Sequence, residues 1–207
     1  MMPQAGCGAV NCAPLAPGVG SVGIPRKPVM FRSRLDLCGL VTLFGATALA
    51  LTADPVFAGE PASLAGITAA HNAARARVGV APLAWDDGLA ASAQAWANRC
   101  IDVAAPPGLI DHNPNRSAGF AFYVGENIFA SSGTPTGQQA VKSWVEEAAN
   151  YDYRANICKG MCGHYTQVVW SKSVRLGCGI SRCAKLRFRN SIVCDYGPGG
   201  NNGGRPY

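Results

Sequence analysis

Residues 162–197 read CGHYTQVVWSKSVRLGCGISRCAKLRFRNSIVCDYG. Apolar, β-branched and aromatic residues fall there in three runs: Thr166–Trp170, Val174–Ile180, and Leu186–Tyr196 with a turn near Asn190. Runs of that length and composition predict strands. They alternate and are joined by short connections, which favours antiparallel pairing. A small sheet near the C-terminal end therefore anchors the interpretation of the rest of the chain.

Upstream of this stretch the period changes from strand to helix. Leu64, Ile67, His71, Ala74 and Val78 recur at helical spacing after Ser63, a good N-cap, and Gly79 ends the run. Asp86 and Asp87 cap a second helix whose face is Leu89, Ala93, Trp96 and Cys100. Residues 101–125 hold Pro106, Pro107, Gly108, Pro114 and Gly119 and read as loop. Thr136 and Gln139 form a capping-box pattern for a third helix with Ala140, Val141, Trp144 and Ala148 inward. The Gly/Pro/Asn-rich tail 197–207 reads as loop. Helices first and strands last, with helices on both sides of a small sheet, predict an α+β sandwich. The apolar-face His71 is expected as a hydrogen-bonded core residue, and the four tryptophans as packing aromatics.

The 207 residues carry 18 Lys+Arg against 12 Asp+Glu, a net charge of +6, with 14% charged and 48% hydrophobic residues. That hydrophobicity excludes a disordered charged tail. The basic residues are scattered along the chain, which argues against nucleic acid as a partner. Residues 1–29 are Gly/Pro-rich and are expected to be disordered or to precede the true start. Residues 30–58 follow the layout of a signal peptide: Arg32 and Arg34, an apolar stretch around Leu37–Leu51, and Val56-Phe57-Ala58 as cleavage site. The apolar stretch is shorter than the ~20 residues a bilayer needs, so no transmembrane anchor is expected after cleavage. The expected mature chain is 59–207, secreted or, in a bacterium, periplasmic. It keeps six of the nine cysteines: Cys100, Cys158, Cys162, Cys178, Cys183 and Cys194. An even set in an exported chain predicts three disulfides, with 15 possible pairings.

No phosphate-binding glycine loop, G-x-S-x-G elbow or H-E-x-x-H motif is present. What remains is a scattered set: His112 in the polar loop Asp111–Asn115, Glu126 in Gly125-Glu-Asn-Ile, Glu147 one turn after Trp144, and His164 opening HYTQVVW. If that last segment is a strand, Tyr165 and Gln167 face away from His164 and Thr166. Two imidazoles and two carboxylates suit Zn²⁺ or another divalent ion. Asn115-Arg116-Ser117 is a glycosylation sequon for a eukaryotic host.

Six segments in order carry a resemblance to a known family: HNAARARVGVAPLAWDDGLAASAQAWANRC (71–100), VGENIFAS (124–131), AVKSWVEE (140–147), CGHYTQVVW (162–170), VRLGCGISRC (174–183) and IVCDYGPGGN with terminal RPY. The chain from Leu64 to Tyr207 resembles the CAP superfamily of cysteine-rich secretory proteins, antigen 5 and plant pathogenesis-related class 1 proteins. It is most similar to the plant class 1 group and bacterial relatives. The resemblance implies a three-layer α–β–α sandwich with one open cleft, lined by His112, Glu126, Glu147 and His164. The loop holding His112 is longer than the family's usual one. It further implies the pairings Cys100–Cys183, Cys158–Cys162 and Cys178–Cys194. The segment Asn150–Cys158 resembles a sterol-binding loop of some members, with Tyr151 and Tyr153 as aromatic contacts. The implied function is that of a monomeric secreted protein that binds a sterol, a lipid or a partner surface, with a divalent ion held in the cleft. The alternative is a metal-dependent hydrolase or protease with Glu126 or Glu147 as general base.

Overall fold

A computed structural model describes residues 59–105 and 107–207, so the expected leader and the stretch before it lie outside the described residues. Helix α1 runs Ile67–Arg77. Its start is not set by Ser63, which lies in a 3-10 turn, Ala62–Leu64. Instead Gly66 turns the chain with a left-handed φ of 84°, and the Glu60 carboxylate accepts from the Gly66 and Thr68 amides at 2.7 and 2.8 Å. A carboxylate on the free amides of a first turn is a favourable cap.

Strand β1 (Ala84–Trp85) leads into α2 (Asp87–Ala97), where Asp86 caps the Leu89 amide at 2.9 Å. The loop that follows reaches β2 (Gly125–Ser131). Helix α3 (Gly137–Glu146) opens on the expected capping box between Thr136 and Gln139 and closes in a 3-10 turn, Glu147–Asn150. A small hairpin of β3 (Tyr151–Asp152) and β4 (Ile157–Cys158) precedes α4 (Gly163–Val168). The long strands β5 (Arg175–Arg182) and β6 (Asn190–Gly197) follow.

Two further sequence expectations need correction. Thr166–Trp170 is not a strand: Thr166 and Val169 donate to the carbonyls of Cys162 and Tyr165, as in a helix. Tyr165 through Trp170 are all buried, and an apolar run buried on every side has no period that separates helix from strand. Its β-branched content was overridden by packing. Strand β6 begins at Asn190, and the turn lies between Arg182 and Asn190.

The main sheet has the order β1-β5-β6-β2. Pairings β5–β6 and β6–β2 are antiparallel, as expected, whereas the two-residue β1 joins β5 in parallel. Side chains of β6 alternate between two cores. Ile192, Cys194 and Tyr196 pack with Leu64, Ile67, Trp144 and Val168 from α1, α3, α4 and the turn before α1. Val193 packs with Ala93, Trp96, Ala97 and Ile110 on the α2 side. This is the three-layer sandwich. A Cβ on Gly177 or Gly179 would collide with the α2 backbone at Ala90 and Gln94, so those two positions let the helix lie directly on β5. The disulfides are Cys100–Cys183, Cys158–Cys162 and Cys178–Cys194. Among the described residues, no helix is long and apolar enough to cross a membrane.

Candidate functional site

Of the four cleft residues, the structure makes two pairs. His112 Nδ1 lies 2.6 Å from Glu126 Oε1, and His164 Nδ1 lies 2.6 Å from Glu147 Oε1. A carboxylate only accepts, so each imidazole donates from Nδ1 and turns Nε2 away from the carboxylate, the nitrogen that carries the lone pair in the neutral ring.

Each pair is set by a different element. Glu126 is the second residue of edge strand β2, and its side chain is 1% exposed while that of His112 is 57% exposed. The same Oε1 also accepts from the Asn113 amide at 3.0 Å, which fastens the His112 loop to the strand. Glu147 stands at the end of α3, and its Oε2 accepts from the His164 amide at 3.0 Å and the Tyr165 amide at 3.3 Å. It therefore caps α4 from 17 residues away, which no local pattern could reveal. Trp144 stacks on the His164 ring at 6.3 Å between centroids.

Asn127, next to Glu126, links the pairs. Successive strand residues face opposite layers. Asn127 Nδ2 donates to the His164 carbonyl and to the Tyr196 hydroxyl oxygen, each at 3.1 Å. Tyr196 in turn lies 2.8 Å from His71 Nε2, while His71 Nδ1 lies 2.8 Å from the Ile67 carbonyl. The carbonyl requires the proton on Nδ1, so Tyr196 donates to Nε2 and His71 is neutral. Burial depresses its pKa to about 4. His71 is thus the hydrogen-bonded core residue expected.

Three participants were not singled out from sequence. Asn127 could have been suggested by its place beside Glu126. Arg75 is fully buried and donates to the carbonyls of Ala81, Val168, Trp170 and Ser173, holding the chain on both sides of Trp170. Burial lowers its pKa to about 10. Asp195 faces Glu126 across the β2–β6 ladder, and both of its oxygens are buried without a partner, as is Glu126 Oε2. Burial, reinforced by the Glu126 charge, raises Asp195 to about 8.

Tyr151 and Tyr153 pack with the C-terminal tail, and Tyr151 reaches the His164–Glu147 pair only through Tyr165. Tyr153 stacks on Tyr207 at 4.7 Å, and Tyr151 packs against Tyr165 and Tyr207. Gln167 serves the tail too: its Oε1 accepts from the Gly200 amide at 2.8 Å. Tyr165 and Gln167 therefore brace the C-terminal segment, and the strand alternation expected for them does not apply. Among the described residues, no group of three or more His, Cys, Asp or Glu is gathered as a metal site.

The profile of the cysteine-rich secretory protein family, CAP, matches residues 68–196. The chain belongs to the CAP family. It is 44% identical over 141 residues to pathogenesis-related protein 1 of Arabidopsis thaliana, covering 64% of this chain and 74% of that one. It is 48% identical over 138 residues to pathogenesis-related protein 1A1 of Solanum lycopersicum, covering 64% and 69%. Among solved CAP structures it is similar to venom allergen-like protein 4 of Schistosoma mansoni, with TM-score 0.58, 30% identity and coverage of 72% and 95%. It is also similar to NaASP2, solved with Zn²⁺, with TM-score 0.54, 28% identity and coverage of 68% and 82%.

Proposed function

We propose that this CAP protein is exported and acts by binding, with the two His–Glu pairs as a divalent-cation site and the tyrosine loop as a contact for a sterol or lipid. The observation that carries the cation reading is the orientation of the imidazoles. Each carboxylate holds Nδ1 at 2.6 Å and leaves Nε2 available, the arrangement in which a carboxylate fixes a metal-ligating histidine. Glu147 is further committed to two backbone amides, so it supports His164 and does not ligate directly. Glu126 holds His112 in the same way, with Oε2 to spare. His112 and His164 would hold the ion, and water or ligand atoms would complete its shell. A cation bound there supplies Lewis acidity and charge to an anionic or carbonyl group. The NaASP2 structure with Zn²⁺ supports this choice of ion.

Half-buried Tyr151 and exposed Tyr153 support the lipid contact as an aromatic surface beside the tail, next to a cavity of about 310 Å³ that Tyr151 lines with Trp170 and Pro206. Export rests on the signal-peptide layout of residues 30–58, and N-terminal sequencing of secreted material should begin near Gly59.

The test is zinc calorimetry at pH 7.5. Removing both rings, in H112A/H164A, should abolish binding. E126Q should weaken it about tenfold by loosening ring orientation. Equal zinc affinity in the double variant and the wild type would refute the assignment.

A further inference from the structure

On the α2 side, beginning at His112 and running away from Glu126, the 101–115 loop encloses a cavity of about 680 Å³, lined among others by Trp96, Arg99, Ile101, Leu109, Ile110 and His112, so it borders the cation site at that one residue. We infer that it is a second binding site, for a small organic anion with an apolar body. The size falls in the range that buries a drug-sized ligand. Its floor is fixed: Trp96 Nε1 donates to the Asp111 carbonyl at 2.7 Å, and Ile110 is fully buried. Leu109 is 40% exposed at the mouth, a large apolar side chain left toward solvent beside an apolar hollow.

The charge is what selects the ligand. The Arg99 guanidinium lies 5.0 Å above the Trp96 ring and makes no ion pair among the described residues. The nearby carboxylates are turned into the loop itself. Asp111 accepts from the Val103 and Ala104 amides at 2.7 and 3.1 Å, and Asp102 from Gly108 at 2.8 Å. Across the Cys100–Cys183 bridge, the β5–β6 turn brings Lys185, Arg187 and Arg189, all exposed and none in an ion pair among the described residues. The Phe188 amide donates to the Gly108 carbonyl at 2.9 Å, and the Arg187 stem lies against Gly108, next to Leu109. Arg99 is thus the cation in the lining, the one lining carboxylate, Asp111, is spent on backbone amides, and the Arg187 stem reaches the loop beside Leu109; an apolar hollow with that charge attracts an anion, repels an amine, and strengthens a charge-assisted contact in partly desolvated surroundings.

Two fluorescent probes separate charge from apolarity: anilinonaphthalene sulfonate, and N-phenyl-1-naphthylamine, which keeps the rings and lacks the sulfonate. The sulfonate should bind one per chain, at least tenfold tighter than the neutral probe. R99A should weaken the sulfonate about tenfold and leave the neutral probe unchanged, and R99K should recover most of the loss. L109D, at an exposed position that leaves the fold intact by thermal melting, should abolish binding of both. Zinc titration of R99A should match wild type, so failure here and failure of the cation site are told apart. Equal affinity for the two probes, or sulfonate binding indifferent to R99A, overturns the anion assignment. Binding indifferent to L109D overturns the location.

Discussion

Asp195→Asn should stabilise the protein, and increasingly so as pH rises. Asp195 is fully buried, no hydrogen bond of good geometry reaches either oxygen, with the Ser92 hydroxyl only a weak partner, and Glu126 lies opposite on the neighbouring strand. Its pKa rises from 3.8 to about 8, chiefly through burial, with the Glu126 charge adding and Ser92 and Arg116 opposing. Below pH ~4 both folded and unfolded states carry the proton, and the group contributes no pH dependence. Between ~4 and ~8 only the folded state keeps it, so stability falls by about 1.4 kcal/mol per pH unit. At pH 7 the accumulated cost is on the order of 4 kcal/mol, which the neutral amide removes. For a domain of this size that is roughly 10 °C in Tm. The amide also supplies a donor to a face where Glu126 Oε2 has none. Urea unfolding at pH 5, 6, 7 and 8, with chelator and intact disulfides, reads the difference directly. A gap between variant and wild type that is the same at pH 5 and pH 8 would refute the reasoning.

His71 gives the opposite slope. With its folded pKa depressed to about 4, the unfolded state takes the proton first, so stability falls as pH drops from ~6.5 to ~4, by about 3 kcal/mol. These two slopes cancel in that window in the wild type, and D195N should expose the histidine limb in the same urea series. R75M should cost about 4 kcal/mol or more, since three buried carbonyls and one part-buried carbonyl lose their donors at once; chemical denaturation at pH 7 measures it. Replacing Cys100 and Cys183 by serine opens a separation of 83 residues and should cost ~4–5 kcal/mol, against ~2 kcal/mol for Cys158 and Cys162, separated by 4. Melts of the two double variants should rank accordingly.

What could be read from sequence was what is decided locally. Asp86 before α2 and Thr136 with Gln139 before α3 act within one turn of their own helices, and both appear where expected. The start of α1 and the whole of α4 were not legible for one shared reason. Their first-turn amides are satisfied by carboxylates from elsewhere, Glu60 and Glu147, so the cap signal before α1, Ser63, pointed to the wrong residue and α4 had none. The membership of the site came from the signature segments, but not its pairing, because which imidazole meets which carboxylate depends on how α4 and the 101–124 loop fold onto β2. Arg75 and Asp195 were invisible as buried charges: a lone charge in an apolar pattern reads as a solvated position until the fold closes over it.

The site is therefore a property of strand register more than of any one loop. Glu126 and Asn127 are successive residues of an edge strand, so they point to opposite layers: one fastens the His112 loop on the α2 side, the other the His164 backbone and the Tyr196–His71 core on the far side. A slip of one residue between β2 and β6 would exchange the two faces and undo both fastenings together. The ladder places Glu126 opposite Asp195 and Asn127 opposite Cys194, and Cys194 is itself bonded to Cys178 on β5. The bridge thus ties β6, against which β2 is registered, to β5 in the middle of the sheet. The cross-strand neighbour of Glu126, Asp195, sits buried where a neutral residue would cost less, beside the one site carboxylate oxygen left without a partner. The costly carboxylate and the unpartnered oxygen fall on the same rung, which is why the Asp195→Asn substitution reports on the site's surroundings as well as on stability.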